Sequence, residues 1–427
     1  MKQFLSRMEW PSFVKALLWG LLVFLQFHQH RGCFHEERIA LLELKAFLKS
    51  NIIHADVLPS WMDDAKSDCC RWERVTCNST NSHVINLSLY NLNNEPYYYE
   101  YYDYNYNGQD DENRCLLNVS MLVPLKELKS LNLSANSIGG CLPNEGFEKM
   151  SSLRNLRILD LGYNYFNNSI PQSLGAVTSL ETLILTQNKL QGYFPAQELI
   201  ALRNLNKLDI SRNYYNGFLP LQGFERLALL PKLEILDLGS NSFDWSIIPF
   251  VSGLVSLKTL SLVDNSFVWL NTTTGFESLS RLENLETLDL SYNNLNRSII
   301  ESLPAIKSLK NLNLEGNDIG GSFPIKGISA FENLEKLDLS GNELNGSLTI
   351  QGSKSLSRLE NLETLDLSGN HFDKSIIESL SAVKSLKNLN LAWNDIGGSF
   401  PAKELSAFEN LENLDLTWNN FDGPLTI

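Results

Sequence analysis

Seven aspartates recur at one position of a repeated pattern, and carboxylates that come close together can act as a general acid and a general base. These aspartates occupy the same outward slot of short strands, where the side chains of adjacent units are stacked at about 4.8 Å and form a generic polar face. The motifs of serine hydrolases, zinc proteases, dinucleotide-binding enzymes, P-loop NTPases and kinases do not occur. We therefore predict a protein that is not an enzyme and holds no cofactor. The aspartates are Asp160, Asp209, Asp237, Asp289, Asp338, Asp366 and Asp415.

The first 32 residues have the organisation of an export signal. Lys2, Arg7 and Lys15 supply positive charge, and an apolar run over 16–27 follows that is too short to span a bilayer comfortably. We predict a signal peptide over 1–32 and a chain that enters the secretory pathway and works outside the cell or at its surface. His30 stands where a small residue is preferred before the cleavage site, which leaves an uncleaved anchor as the alternative. Eight N-x-S/T sequons fit a secreted glycoprotein, at Asn78, Asn86, Asn118, Asn132, Asn167, Asn271, Asn296 and Asn345.

Six cysteines follow the signal and could hold a metal ion or form disulfides. A zinc site needs a C-x-x-C pair or interleaved histidines, and the adjacent Cys69 and Cys70 provide neither. We therefore predict no metal site. An even number of cysteines behind a signal favours disulfides, and spacing alone leaves their pairing open. The cysteines are Cys33, Cys69, Cys70, Cys77, Cys115 and Cys141.

The composition is that of a folded protein, with 43% hydrophobic and 20% charged residues in a chain of 427. These fractions argue against intrinsic disorder and against a polytopic membrane protein. The formal net charge is −14, and no run of Lys and Arg occurs. We therefore predict no nucleic-acid partner.

The pattern L-x-x-L-x-L-x-x-N returns twelve times from Leu128 onward, at spacings of 24, 25 and 28 residues, which is the period of leucine-rich repeats. Within 287–291 the apolar residues alternate, so Thr287, Asp289 and Ser291 are predicted to point to solvent. One such strand cannot bury its leucines alone, so we expect parallel strands stacked around one continuous core. We expect the asparagines that close the pattern to pair buried backbone groups. They are Asn136, Asn164, Asn188, Asn213, Asn241, Asn265, Asn293, Asn317, Asn342, Asn370, Asn394 and Asn419.

A longer period of 77 residues overlies the short one. Residues 278–287 recur nearly intact at 355–364, and residues 317–324 recur as 394–401. A solenoid tolerates duplication of a three-repeat block because each unit contacts only its neighbours.

Gly or Ser followed by Pro comes after many of the asparagines, as at 192–195 and 321–324. Here the sequence resembles the plant-specific leucine-rich repeat, L-x-G-x-I-P. The resemblance implies an α/β leucine-rich repeat solenoid, a right-handed superhelix with a parallel sheet on its concave face and a second short strand after the main one. Residues 298–301 and 375–378 lack the proline, so we expect a less regular twist there.

The segment before the repeats has the features of a cap. Ile39, Leu42, Phe47 and Leu48 recur at helical spacing within 36–49, which predicts an amphipathic helix that covers the first repeat. The string 68–77, with Cys33 before it, resembles the plant N-terminal leucine-rich repeat cap. That resemblance implies Cys33–Cys69 and Cys70–Cys77 disulfides. We predict a cap over 33–83 and a solenoid over 84–427.

An insertion over 93–114 carries seven tyrosines among Asn, Asp and Glu. We interpret it as a variable loop, with an acidic recognition or tyrosine-sulfation patch as the alternative. Receptor-like proteins of plants are similar here, and the similarity implies a Cys115–Cys141 disulfide.

The concave face is where a solenoid is expected to bind a partner. We chose as candidate ligand-binding residues the outward positions with aromatic or unusual side chains, because aromatic and Arg side chains are frequent anchors of interfaces. They are Tyr163, Ile184, Arg212, Asp264, Tyr292, Trp393 and Trp418.

Over almost the whole mature chain the sequence resembles plant receptor-like proteins. The resemblance implies recognition of a peptide or protein ligand on the concave face, in defence or developmental signalling through a partner membrane receptor kinase or co-receptor. The chain stops within a repeat and has no C-terminal cysteine cap, which makes a truncated soluble decoy one alternative. A secreted inhibitor of a cell-wall-degrading enzyme, similar to polygalacturonase-inhibiting proteins, is another.

Overall fold

The computed structural model describes residues 33–51, 57–64, 67–92, 115–142, 144–199, 201–217, 230–267, 276–346 and 354–423. It divides into a first unit that ends at Leu159 and a second unit that begins at Asp160. The predicted signal peptide, the tyrosine-rich insertion and the sequon at Asn271 lie outside the described residues.

The first unit begins with a helix and continues with short strands. The elements are α1 (His35–Asn51), β1 (Val75–Cys77), β2 (Val84–Ser88), β3 (Cys115–Leu117), β4 (Ser130–Asn132), β5 (Ile138–Cys141) and β6 (Ile158–Asp160). Strand β1 pairs antiparallel with β2, β2 pairs parallel with β4, and β3 pairs parallel with β5. Short 3-10 helices cover Cys69–Arg71, Val119–Leu122 and Phe147–Ser152.

Helix α1 confirms the predicted cap helix, but the predicted buried face is wrong. Ile39 is 38% exposed, and of the four predicted residues only Leu48 is buried. The carboxylate of Glu37 is buried, where it accepts the Val84 N–H at 3.2 Å and lies 3.0 Å from His83 Nδ1. This contact turns the helix so that a neighbouring stripe faces inward. The buried side chains of that stripe are Glu37, Ala40, Leu41, Leu44 and Leu48.

Two disulfides join the cap, Cys33–Cys69 and Cys70–Cys77, as the resemblance implied. Their Cα atoms are 5.6 and 5.4 Å apart, within the normal range of disulfides. The prediction of a Cys115–Cys141 disulfide is wrong, because Cys141 is a free thiol in the structure. The β3–β5 register sets Cys115 opposite Ile138 and sets Leu117 opposite Cys141.

The second unit is built on parallel strands that pair in chain order, each followed by an outer segment. The main strands are β7 (Thr182–Ile184), β9 (Lys207–Asp209), β11 (Ile235–Asp237), β12 (Thr259–Ser261), β13 (Thr287–Asp289), β14 (Asn311–Asn313), β16 (Lys336–Asp338), β18 (Thr364–Asp366), β19 (Asn388–Asn390) and β21 (Asn413–Asp415). The expected second strands form parallel pairs, β8 (Gln191–Tyr193) with β10 (Tyr214–Gly217), β15 (Gly321–Ser322) with β17 (Leu344–Asn345), and β20 (Gly397–Gly398) with β22 (Asn420–Phe421). Short helices are α2 (Ser169–Leu174), α3 (Ala196–Leu199), α4 (Ile248–Val251), α5 (Ile299–Ser302), α6 (Ile325–Ile328), α7 (Ser375–Leu380) and α8 (Ala402–Leu405), with 3-10 helices at Trp245–Ile247, Phe276–Arg281 and Leu303–Ala305.

Leucine columns form the core of this unit and confirm the leucine-rich repeat fold. Leu288 and Leu290 have no exposed surface, whereas Thr287 and Asp289 are half-buried on the other face of the strand. The prediction that Ser291 points to solvent is wrong, since it is 2% exposed. Its hydroxyl donates to Asp289 Oδ1 at 2.6 Å, which satisfies a polar group that would otherwise oppose burial.

Buried asparagines form the predicted ladder. Asn188 is 3% exposed, and its Nδ2 donates to carbonyls of its own and the preceding repeat at 3.1 to 3.2 Å. Its Oδ1 accepts the Phe166 N–H at 2.9 Å. Each ladder asparagine therefore pairs backbone groups at the point where the chain leaves the sheet.

Candidate functional site

One position of every described repeat in the second unit has a left-handed backbone. It is the residue directly before each ladder asparagine, and φ there lies between +48° and +63°. This conformation costs most L-residues about 1 kcal/mol or more, so it is the fold that imposes it at this position. We call these residues the left-handed column: Tyr163, Gln187, Arg212, Ser240, Asp264, Tyr292, Gly316, Gly341, Gly369, Trp393 and Trp418.

The residues of the left-handed column make the last backbone hydrogen bonds between neighbouring repeats before the chain leaves the sheet. The Tyr292 N–H donates to the Glu315 carbonyl of the next repeat at 2.8 Å, and the Gly316 N–H donates to the Ser340 carbonyl at 2.9 Å. The following residue is the ladder asparagine, which is buried in most of these repeats. Side chains of the column itself stay outside, which makes the column part of the exposed sheet face.

Six of the seven candidate ligand-binding residues lie in this column. Ile184 is the exception, since it ends strand β7 and is half-buried. Tyr163, Arg212 and Asp264 belong to separate repeats, with Gln187 and Ser240 between them. Their role in binding stays a prediction.

Trp393 and Trp418 are brought together. Their rings stack with centroids 4.5 Å apart and planes inclined by 15°. They are 58% and 70% exposed, the largest exposures among the large apolar side chains that the structure describes. A stacked and solvent-exposed pair of this size is the kind of surface that interface anchors offer.

Tyr292 stands elsewhere in the same column and is 53% exposed. Its hydroxyl donates to the Glu315 carboxylate, and this hydrogen bond raises the pKa of Tyr292 to about 12, with burial and the charges of Glu315, Asp338 and Asp289 adding to it. The ring therefore stays neutral at physiological pH and is held in place by its hydroxyl.

The outward aspartates have a local structural task that sequence reasoning missed. Asp338 Oδ1 accepts the Ser340 N–H at 2.9 Å and the Ser340 hydroxyl at 2.6 Å, and Asp366 does the same with Ser368. The spacing D-x-S could have indicated this turn. Burial raises the pKa of Asp338, and the charges of Asp366 and Glu315 raise it further.

Burial also raises the pKa of Asp237, to which the charge of Asp209 in the neighbouring strand contributes. Carboxylates one strand apart thus repel one another on this face. Hydrogen bonds to Gly239 and Ser261 oppose that shift.

A shallow depression of about 290 Å³ lies on the same face over β18, β19 and β21. Its polar groups are paired with each other: Asn390 Nδ2 donates to Asp366 Oδ2 at 2.8 Å, and Asn413 Nδ2 donates to Asn388 Oδ1 at 2.7 Å. Such a surface is ordered before any ligand arrives. The polar lining residues are Thr364, Asp366, Asn388, Asn390, Asn413 and Asp415.

Sequence reasoning also missed three consecutive glycines of the left-handed column, Gly316, Gly341 and Gly369. A criterion of large side chains excludes glycine, and the signal of these three residues in the sequence is the recurrence of Gly directly before a ladder asparagine.

Among the described residues, no three His, Cys, Asp or Glu side chains gather as a metal centre. No helix in the described ranges combines the length and apolar character needed to cross a membrane. Of the described sequon asparagines, Asn167 and Asn345 are exposed and the others half-buried.

Known protein families match both the repeats and the segment before them. The family described as "Leucine-rich repeat region" matches residues 120–351, which is more than half of the chain. The "Leucine rich repeat N-terminal domain" matches residues 34–78, and further single repeats match 361–383 and 384–399.

The relatives include the Receptor-like protein 13 of Arabidopsis thaliana, 42% identical over 260 residues that cover 58% of this chain and 23% of that protein. The chain spans about a fifth of the length of the curated relatives it matches. Among solved structures, the chain is similar to PEPR1–AtPEP1, with 25% identity, a TM-score of 0.56, and coverage of 92% of this chain and 53% of that one.

A second similar structure is the ectodomain of the plant membrane receptor kinase GASSHO1/SCHENGEN3 from Arabidopsis thaliana in complex with CASPARIAN STRIP INTEGRITY FACTOR 2. Identity is 26% and the TM-score 0.51, with coverage of 88% of this chain and 53% of that one. The repeats, the cap disulfides and these matches agree with one another. The chain therefore belongs to the leucine-rich repeat family, and among known proteins it is similar to the receptor-like proteins of plants.

Proposed function

We propose that this chain is an extracellular recognition protein of the receptor-like type, which binds a peptide or protein ligand on the exposed sheet face of its second unit. The observation that carries the proposal is the stacked pair Trp393 and Trp418, which stands on that face with most of its surface in solvent. Burying an aromatic side chain of this kind against a partner is strongly favourable. The receptor-like relatives and the ectodomain complex with CASPARIAN STRIP INTEGRITY FACTOR 2 support it.

Signalling, in defence or in development, then requires a membrane receptor kinase or co-receptor as partner. The candidate contact residues Tyr163, Ile184, Arg212, Asp264 and Tyr292 belong to other repeats and would extend the same surface from strand to strand across the sheet. Relatives named as receptor-like proteins support a place at the cell surface or outside the cell.

The test is retention of short synthetic peptides by the immobilised full chain, read by mass spectrometry. We expect a subset of the library to be retained, and the double variant Trp393→Ala/Trp418→Ala to lose it. Tyr193→Ala is the matched control, because Tyr193 is 56% exposed but lies in the outer strand β8. Failure to retain any peptide, or equal loss in the control, would contradict the proposal.

A further inference from the structure

The three glycines of the left-handed column lie side by side, between Tyr292 and Trp393. Strands β13, β14, β16, β18 and β19 are consecutive neighbours in the sheet, so Tyr292, Gly316, Gly341, Gly369 and Trp393 follow one another across it. We call this set the glycine trough. Gly341 and Gly369 are exposed, and no side chain of their own covers the backbone there.

The floor of the glycine trough is bare main chain. A Cβ atom built on Gly341 would lie 3.6 Å from the Gly316 nitrogen, and one on Gly369 would lie 3.5 Å from the Gly341 nitrogen. The nearest atoms at both positions are therefore backbone atoms of the neighbouring repeat. A ligand main chain can approach such a floor more closely than it can approach side chains.

Aromatic rings close both ends of the trough. The Tyr292 ring leans across Gly316, where a Cβ would come within 2.7 Å of it, so only glycine leaves room for the ring. At the other end, Trp393 is backed by Trp418 in a stack and cannot swing away without losing that contact. The rings therefore act as walls that are held in place before a ligand arrives.

The length of the trough fits a short extended segment. Tyr292 and Trp393 are four strand spacings apart, or about 19 Å at about 4.8 Å per strand. An extended chain rises by about 3.3 Å per residue, so about six residues span the trough. The floor is one residue wide, since each repeat contributes one glycine to it.

Carboxylates flank the trough along its length. Asp289, Asp338 and Asp366 lie at outward strand positions of the repeats that form it, and Glu315 stands after strand β14, directly before Gly316. Lys336 is the one cation at the outward positions of these strands. Burial raises the pKa of Asp338, and the charges of Asp366 and Glu315 raise it further, which shows repulsion among these carboxylates. A cationic ligand would relieve this repulsion. Asp366 also lines the depression on the same face.

We propose that the glycine trough binds an extended, cationic peptide segment, whose Arg or Lys side chains pack against Trp393 and pair with Asp338 and Asp366. This inference rests on the proposed function and specifies its ligand class. Arg is favoured over Lys, because its planar guanidinium stacks on a Trp face while it donates to a carboxylate.

The test uses the full chain and two amidated, acetylated probes, Arg-Gly-Arg-Gly-Arg-Gly and Glu-Gly-Glu-Gly-Glu-Gly, with binding followed by tryptophan fluorescence and calorimetry. We expect the arginine peptide to bind and the glutamate peptide not to bind. The double variant Asp338→Asn/Asp366→Asn should weaken binding by about tenfold. It keeps the turns, because Asn313 and Asn390 cap the same turn in neighbouring repeats.

The matched control is Asp209→Asn/Asp237→Asn, which removes the same charge at the same strand position outside the trough. It should leave binding within about twofold, since diffuse attraction to the whole chain is screened by salt. Gly341→Gln fills the floor, and the column accepts this residue at Gln187. It should abolish binding while the melting temperature stays close to that of the parent.

Equal weakening in the control pair, binding of the glutamate probe, or full binding by Gly341→Gln would overturn the inference. These outcomes are distinct from failure of the proposed function. If the retained library peptides are neutral or acidic and their retention still requires Trp393, the proposed recognition on this face is supported and the proposal of a cationic ligand is wrong.

Discussion

Asn213 illustrates what a single ladder side chain does in this protein. Its Nδ2 donates to three carbonyls, those of Leu185, Ile210 and Ser211, each at 3.0 Å. Its Oδ1 lies 3.2 Å from two N–H donors of the preceding repeat. At 3% exposure, none of these groups can turn to bulk water if the side chain is removed.

We expect Asn213→Ala to lower the free energy of unfolding by about 1–3 kcal/mol, because it leaves buried backbone groups without partners. Urea denaturation followed by circular dichroism measures this. Asn204→Ala is the control, since Asn204 is exposed and donates only at the surface; it should change stability by less than about 0.5 kcal/mol. Equal effects of the two substitutions would contradict the ladder's contribution.

Asp338 provides a pH test at the same scale. Its pKa in the folded protein lies above the ordinary value of an aspartate, first because of burial, so the charged form is disfavoured in the native state. The contribution of Asp338 to stability is therefore most favourable below its pKa in the unfolded chain, and it declines as the pH rises through its pKa in the folded protein. Asp338→Asn keeps the Oδ1 acceptor for Ser340 and removes the charge.

We therefore expect Asp338→Asn to melt at a higher temperature than the parent at pH 7, and to lose less stability between pH 4 and pH 7. Thermal unfolding at several pH values measures this. Asp338→Ala removes charge and acceptor together and should melt lower at every pH. An unchanged pH profile in Asp338→Asn would rule out the burial of its carboxylate as the cause.

At the scale of elements, the sequence pattern predicted strands well and helix orientation poorly. Each main strand repeats one alternation, so every leucine of Leu236, Leu260 and Leu288 faces the core in register with the next. Helix α1 occurs once, and its orientation depends on a tertiary contact between Glu37 and the Val84 N–H. Nothing in the helical spacing of apolar residues encodes that contact.

The candidate site also has one part that could be predicted from the sequence and one part that could not. Trp393 and Trp418 could be chosen from their residue type, because an outward Trp is unusual. The glycine trough could not, since its floor is defined by the absence of side chains, and its meaning depends on the left-handed φ at Gly316, Gly341 and Gly369. A backbone angle of this kind is a property of the stacked sheet.

The two copies of the 77-residue duplication differ in one hydrogen bond to the asparagine ladder. In the second copy, the Ile396 N–H donates to Asn419 Oδ1 at 3.0 Å. In the first copy, the equivalent Asn342 Oδ1 is buried and has no partner among the described residues, while the Gly320 N–H donates to the Asn342 carbonyl. Arg297 donates to the Gly320 carbonyl at 3.2 Å and occupies the position of Lys374 in the second copy.

We expect the amide of Ile319 to exchange with deuterium about tenfold faster than that of Ile396, because it lacks this hydrogen bond to the ladder. Exchange resolved by fragmentation and mass spectrometry measures both amides in one sample. Arg297→Lys should slow exchange at Ile319 by making the first copy match the second. Equal protection of the two amides in the parent would mean that the missing link has no energetic consequence.

At the scale of the whole chain, stability in the second unit accumulates repeat by repeat, since each repeat contacts only its neighbours. The buried leucine column continues through the strands from β7 to β19, and each of these repeats carries a ladder Asn. The exposed sheet face can therefore carry Trp in one repeat and Gly in another without any change in the core. This separation allows the surface to specify a ligand while the fold stays constant.

A pair of substitutions to the same residue tests that separation. Leu290 has no exposed surface, and Leu290→Asp places a carboxylate in the leucine column, where an unpaired charge costs several kcal/mol. Ser261→Asp adds the same side chain at the outward position held by Asp237 and Asp289 in the adjoining strands, and should cost at most about 1 kcal/mol through repulsion. We expect Leu290→Asp to lower the melting temperature sharply and to remove hydrogen-exchange protection first in β12, β13 and β14, whereas Ser261→Asp keeps the parent's protection. Equal damage from the two substitutions would mean that inward and outward positions are not distinguished by the core, and the stacked register would then be wrong.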